Sequence, residues 1–254
     1  MIAVIGGCEK TGKTTMALTF PKKLAYFEFD IGGYDRAIQR FSDKDKALII
    51  REQYPTPLQA LTLPGAKELI HAKLVVGMKE MWYKFLSDYN KACSNPEVKT
   101  VILDTWFQVW EMNRLSVLQE KQEAQLEENG TLKKGEKLRQ SLLRVEYMEP
   151  NARMRNLMFY ARGMGKNLVL VTYDRDEYKP QLDADGRVVE MRTGKKIYGG
   201  WGETMKHADI ALWTSLDGNQ PIATITLPGL VPLERVGFSL PDNSYSTLMK
   251  VASL

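Results

Sequence analysis

The chain has 254 residues, 44% of them hydrophobic and 26% charged, and its 35 Lys and Arg against 31 Asp and Glu give a formal charge of +4. That length and balance exclude a disordered or fibrous chain and suit one folded domain; the small positive excess permits a polyanionic partner without demanding one. Two cysteines far apart, Cys8 and Cys93, and two lone histidines, His71 and His207, give no zinc or disulfide framework, and no apolar run reaches the roughly 18 residues of a membrane span, so the expected setting is cytoplasmic with no membrane partner.

Ile2 to Ile5 reads as an apolar strand and Thr14 to Phe20 as a helix. Between them Gly7-Cys8-Glu9-Lys10-Thr11-Gly12-Lys13-Thr14 fits G-x-x-x-x-G-K-[ST], the phosphate-binding loop, in the strand-to-helix setting that motif requires. Glycines let successive N–H groups turn inward onto phosphate oxygens, and the helix start that follows adds partial positive charge. The expected ligand is ATP with Mg²⁺. Lys13 reaches the β- and γ-phosphates, Thr14 ligates the metal, and the loop as far as Thr15 cradles the phosphates. Cys8 reads as a small filler of this loop.

Leu24 to Gly33, "LAYFEFDIGG", reads as a second strand closing on glycines, with Glu28 and Asp30 on one face by the two-residue period. Asp30 lies nearer the end where open α/β sheets bind ligands and is the candidate to activate water; the plainer reading is an Asp that caps a turn. From Arg51 to Pro64 the prolines suggest irregular chain. Met78, Met81, Trp82, Phe85, Leu86, Tyr89 and Cys93 recur at helical spacing and read as a core-facing stripe. Thr100 to Thr105 then gives a short strand ending in Asp104, the candidate second acid on the metal side. Thr105 stands where many ring ATPases place a glutamate, so the water-activating acid must come from another strand.

A helical insertion is expected over about 106–148: helix from Trp106 to Glu128, a loop from Glu128 to Lys137, and helix again from Leu138 to Glu146. Lys133, Lys134, Lys137, Arg139 and Arg144 face the single acid Glu136 there, and read either as a track for a nucleic-acid backbone or as a solvated helix face. Pro150 opens a further helix, and Asn167 to Thr172 a strand, after which Thr172 or Asp174 is the candidate γ-phosphate sensor or an ordinary strand-end residue. Asp185-Gly186 marks a hairpin insertion over about 176–200, whose Lys195 and Lys196, leading into a glycine-rich segment expected to be mobile, read as DNA or neighbour-subunit contacts or as solvated surface. Strands at Ile210 to Ser215 and Ala223 to Leu227 and a short helix at Ser246 to Val251 close a single domain over 1–254.

In order, "GGCEKTGKTT", "FEFDIGG", "VILDT", "NARMRNLMFYARGMGKNLVLVT" and "FSLPDNSYSTLMKV" resemble the phage AAA-type nucleotide-binding proteins of the RecA-like superfamily, the group that includes single-strand annealing ATPases. The resemblance implies a RecA-like P-loop fold, a mostly parallel sheet flanked by helices, and ATP hydrolysis coupled to single-stranded DNA in phage recombination or replication. It also implies a homo-oligomer, ring or filament, and a single-stranded-DNA-binding protein as partner, in the bacterial host cytoplasm. By position Lys13, Thr14 and Asp104 look like the phosphate and metal ligands and Asp30 like the catalytic acid. Such enzymes usually carry Glu at that last place and tend to have His where this chain has Tyr173; the shorter Asp arm implies slow hydrolysis. From the residues alone, a P-loop kinase with a basic lid over a small acceptor, or a non-hydrolysing nucleotide-gated module, are the alternatives.

Overall fold

A computed structural model describes residues 1–30, 32–55, 74–182 and 187–252. In chain order it forms β1 (Ile2–Gly7), α1 (Lys13–Ala17), β2 (Leu24–Glu28), α2 (Gly33–Ile38), α3 (Asp43–Lys46), β3 (Ile49–Gln53), α4 (Met78–Ser94), β4 (Thr100–Asp104), α5 (Trp106–Glu123), α6 (Met148–Gly163) and β5 (Asn167–Val171). There follow β6 (Asp174–Leu182), β7 (Val188–Tyr198), α7 (Thr204–His207), β8 (Ile210–Asp217), β9 (Gln220–Leu227), β10 (Ser239–Leu240) and α8 (Tyr245–Ala252).

Eight strands make one sheet in the order β10-β9-β8-β1-β5-β4-β2-β3, parallel from β8 to β3 and antiparallel where β9 and β10 extend it. This is the mostly parallel, helix-flanked α/β sheet of the expected class, with β5 inserted between the strand that carries the phosphate loop and the strand that ends in Asp104. The central strands are apolar at nearly every position because both faces are covered. Ile2 and Val4 of β1, Phe27 of β2 and Leu103 of β4 pack on one side with Trp82, Phe85, Trp106 and Met158. Ala3, Ile5, Tyr26 and Ile102 pack on the other with Met16, Phe20 and Leu248. Parallel pairing brings the carboxyl ends of β1, β2, β4 and β5 to one edge, where crossover connections leave a crevice.

Several expectations need correction. Ile49–Gln53, read as irregular at its tail, is the edge strand β3, paired in parallel with β2; the proline-rich remainder to Pro64 lies largely outside the described residues. Helices α2 and α3 had not been anticipated, and α1 ends at Ala17 rather than Phe20. No helix spans Leu138 to Glu146. There the main chain of Arg139 is satisfied by side chains at and just past the end of α5: its carbonyl accepts from Gln122 Nε2 at 2.6 Å and its N–H donates to Gln125 Oε1 at 3.1 Å. Its guanidinium pairs with Glu146, so no apolar stripe or helical ladder is needed, and the chain stays extended until a 3₁₀ turn at Arg144–Tyr147 leads into α6. β6 and β7 form the expected antiparallel hairpin, although the Asp185-Gly186 turn lies outside the described residues. In the glycine-rich segment after it Trp201 is buried, its indole N–H donates to Asn151 Oδ1 at 2.9 Å, and its ring stacks on His207.

Candidate nucleotide site

β1 ends in Gly7 at φ 137, where a Cβ would run into the Thr214 carbonyl oxygen, so only glycine lets the chain leave the strand here. The loop then carries Cys8, Glu9 and Lys10 outward, all exposed. It is pinned inside by Thr11, whose hydroxyl donates to the Cys8 carbonyl at 2.8 Å and lies 2.6 Å from Thr214 Oγ1. Gly12, at φ 86, turns the backbone into α1. Lys13 folds back under the loop and donates to the carbonyls of Gly7, at 2.9 Å, and Cys8. Burial pulls its ammonium below the usual lysine value, opposed by the charge of Asp104.

Asp104, at the tip of β4, is buried and accepts at one oxygen, Oδ2, from both Thr14 Oγ1 and the Tyr26 hydroxyl, each at 2.7 Å. Burial raises its carboxyl above the ordinary value, and the two hydroxyl donors work against that rise. A serine-type hydroxyl beside a carboxylate is a hard oxygen donor set suited to Mg²⁺, with the remaining ligands left to phosphate and water. Among the described residues no cluster of three His, Cys, Asp or Glu forms an all-protein metal cage.

Glu28 and Asp30 take different parts. Glu28, the last residue of β2, is fully buried and accepts from Arg51 at 2.5 Å, from Gln53 Nε2 at 2.9 Å and from the Gly32 N–H at 3.1 Å, which fixes the turn into α2. Two residues on, past the strand's end, Asp30 faces the cavity and accepts from the Tyr173 hydroxyl. The Lys13 ammonium sits 4.9 Å from the centre of the Tyr173 ring, so this tyrosine touches both the loop lysine and the acid. Burial, and then the bond to Asp30, push the phenol of Tyr173 well above its usual range.

The cavity bounded by these groups has a volume of about 330 Å³. Lys10 to Thr15, Asp30, Asp104 and Tyr173 line it, together with Arg36 from α2 and Arg40 from the turn that follows it. Both arginines are exposed and lack an ion-pair partner among the described residues. The structure therefore brings Lys13, Thr14, Asp30 and Asp104 to one concave surface, while Gly7, Cys8 and Glu9 lie on the loop's back and outer side. Of the residues after β5, Tyr173 lines the cavity and the two proposed sensors do not: Thr172 is buried, and Asp174 pairs with Lys196 at 3.1 Å. Lys133, Lys134, Lys137, Arg139, Lys195 and Lys196 are all away from the cavity wall. Sequence reasoning missed Arg36 and Arg40. Their signal was the pair of arginines in "GYDRAIQR" directly after the acid and its glycines, a short basic stretch beside the phosphate loop; the structure puts Arg36 on α2 and Arg40 in the turn past its end.

No protein-family model matches the chain, and no curated protein matches it. Among solved structures it is similar to one described as "Crystal structure of the RadB recombinase", with a TM-score of 0.45, 12% sequence identity, and coverage of 94% of this chain and 84% of that one. A likeness at that level carries no argument about chemistry, and the account of the site rests on its own geometry.

Proposed function

We propose that this cavity binds ATP with Mg²⁺ and hydrolyses it. The observation that carries the reading is the convergence of a phosphate-loop lysine, a hydroxyl–carboxylate pair and a second carboxylate, from three separate strand ends, on one cavity that also presents two unpaired arginines. Loop amides and the Lys13 ammonium would take the phosphate oxygens, for which Lys13 gives up its present carbonyl partners. Thr14 would ligate the metal, and Asp104 would accept from water in its coordination shell. When bound, Mg²⁺ neutralises charge developing on the phosphates. Asp30 would orient the attacking water. As the new P–O bond forms and the bond to the β-phosphate oxygen breaks, the water's proton passes to the Asp30 carboxylate or a γ-oxygen, leaving ADP and inorganic phosphate. Lys13→Ala should abolish ATP binding, measured by calorimetry with Mg²⁺ present. Product analysis decides between hydrolysis and transfer: free phosphate supports an ATPase, whereas ADP with a phosphorylated acceptor supports the kinase reading.

Single-stranded DNA is the polyanion we assign to this ATPase, on the strength of the extended segment after α5. Lys134, Lys137 and Arg144 are exposed there, and Leu132, Leu143 and Val145 are exposed among them. The β6–β7 hairpin is the weaker candidate, because Lys196 and Arg192 are taken up by Asp174 and Asp176. Anisotropy of a labelled oligonucleotide at two salt concentrations tests the assignment; absence of binding at low salt removes DNA from it.

A further inference from the structure

Beside the phosphate cavity lies a second one, of about 440 Å³, within the range of small-molecule sites. The two share Gly12, Thr15, Arg40 and Pro221, so they are continuous around the start of α1. The far wall of the second is the turn Pro241-Asp242-Asn243 between β10 and α8. That turn is held firmly: the Tyr245 N–H donates to Thr19 Oγ1 at 2.8 Å, the Tyr245 ring packs 4.8 Å from Phe20, and Asp242 accepts from the Ser244 hydroxyl at 2.6 Å.

Within it both polar atoms of the Asn243 side-chain amide are buried and have no hydrogen-bond partner among the described residues. The amide nitrogen faces the loop, where a Cβ on Gly12 would come within 3.6 Å of it. A buried amide with neither bond made is costly to fold, and folded chains rarely leave one so without a use. The residue lines the second cavity, into which a turn about its Cβ–Cγ bond would bring its donor and its acceptor.

Resting on the nucleotide reading above, we infer that this second cavity is the base pocket and that Asn243 reads the base as adenine. A side-chain amide pairs with the adenine amino group and its neighbouring N7, whereas guanine offers two acceptors, O6 and N7, on the same edge and leaves the amide oxygen opposed to another acceptor. Arg40 supplies a flat cation and Pro221 an apolar face, the two walls a planar ring needs on its way from phosphates to pocket.

Calorimetric titration with Mg²⁺ of ATP, GTP, purine riboside triphosphate, which lacks the amino group, and inorganic tripolyphosphate tests this. The wild-type chain should bind ATP at least about tenfold more tightly than GTP or the purine analogue. In Asn243→Ala that preference should disappear through loss of ATP affinity, with tripolyphosphate binding unchanged. Equal affinity of the wild-type chain for ATP and the purine analogue overturns the inference, as does an Asn243→Ala variant that keeps the preference. Should that variant fail to fold, the analogue series on the wild-type chain decides alone. A wild-type chain that binds neither ATP nor tripolyphosphate removes the nucleotide reading itself, and this inference with it.

Discussion

At Asp104 burial and charge conflict. Two hydroxyls and a nearby ammonium stabilise its carboxylate, yet burial outweighs them and its carboxyl sits above the ordinary value. Below the unfolded value both states carry the proton and there is no penalty. As pH rises from there through the raised folded value, the folded chain must give up a proton it holds more tightly than the unfolded chain does, so stability falls and stays lowered above that window. Asp104→Asn should therefore raise the melting temperature of the nucleotide-free chain at pH 7, since the amide oxygen can still accept from Thr14 and Tyr26. The same change should remove Mg²⁺-dependent ATP binding, as followed by calorimetry. A drop in melting temperature would mean that the carboxylate is held by more than these partners.

The element that delivers Asp30 is the end of β2, and its seating depends on aromatic packing beneath. Phe85 on α4 meets Phe27, Phe29, Tyr54 and Tyr89 with ring centres 5.4–5.7 Å away, and is fully buried. Phe85→Ala should cost about 3–5 kcal/mol in urea unfolding. Gly7→Ala should cost at least about 3 kcal/mol, because it combines a positive φ with a clash on the Thr214 carbonyl. Elements with a strong period were legible in the sequence: α4 by its apolar stripe, β1, β4 and β5 by unbroken apolar runs, and the loop by its motif. The misses have physical causes. β3 is an edge strand with no fully buried residue, its Ile50 and Gln53 exposed and its Arg51 and Glu52 half-buried, so it lacks the alternation of a half-buried strand. The stretch from Leu138 to Glu146 carries helix-forming residues, but the main chain of Arg139 within it bonds to Gln122 of α5 and to Gln125 just beyond, a tertiary choice that local propensity does not encode.

Across the whole molecule, the carboxyl ends of four parallel strands meet at one edge, and this explains why residues 13, 30, 104 and 173 converge. Motif order alone indicated the first three. Tyr173 had been passed over for its neighbours because nothing in a strand-end tripeptide tells which side chain turns inward; the answer came from β6, which carries Asp174 away to pair with Lys196. Away from that edge, the lysines of the basic segment after α5 are expected to act on the phosphate backbone, without regard to base sequence. Lys134→Glu with Lys137→Glu should weaken oligonucleotide binding similarly for all sequences and flatten its salt dependence by about one unit of slope per lost contact. Residues between β9 and α8 line the adjoining second cavity, so the crevice as a whole draws on both ends of the chain. Phosphate release from ATP by Asp30→Asn, beside its ATP affinity, tests the central claim most directly. The account predicts affinity within about twofold of wild type and turnover lowered about a hundredfold or more; wild-type turnover in that variant would contradict it.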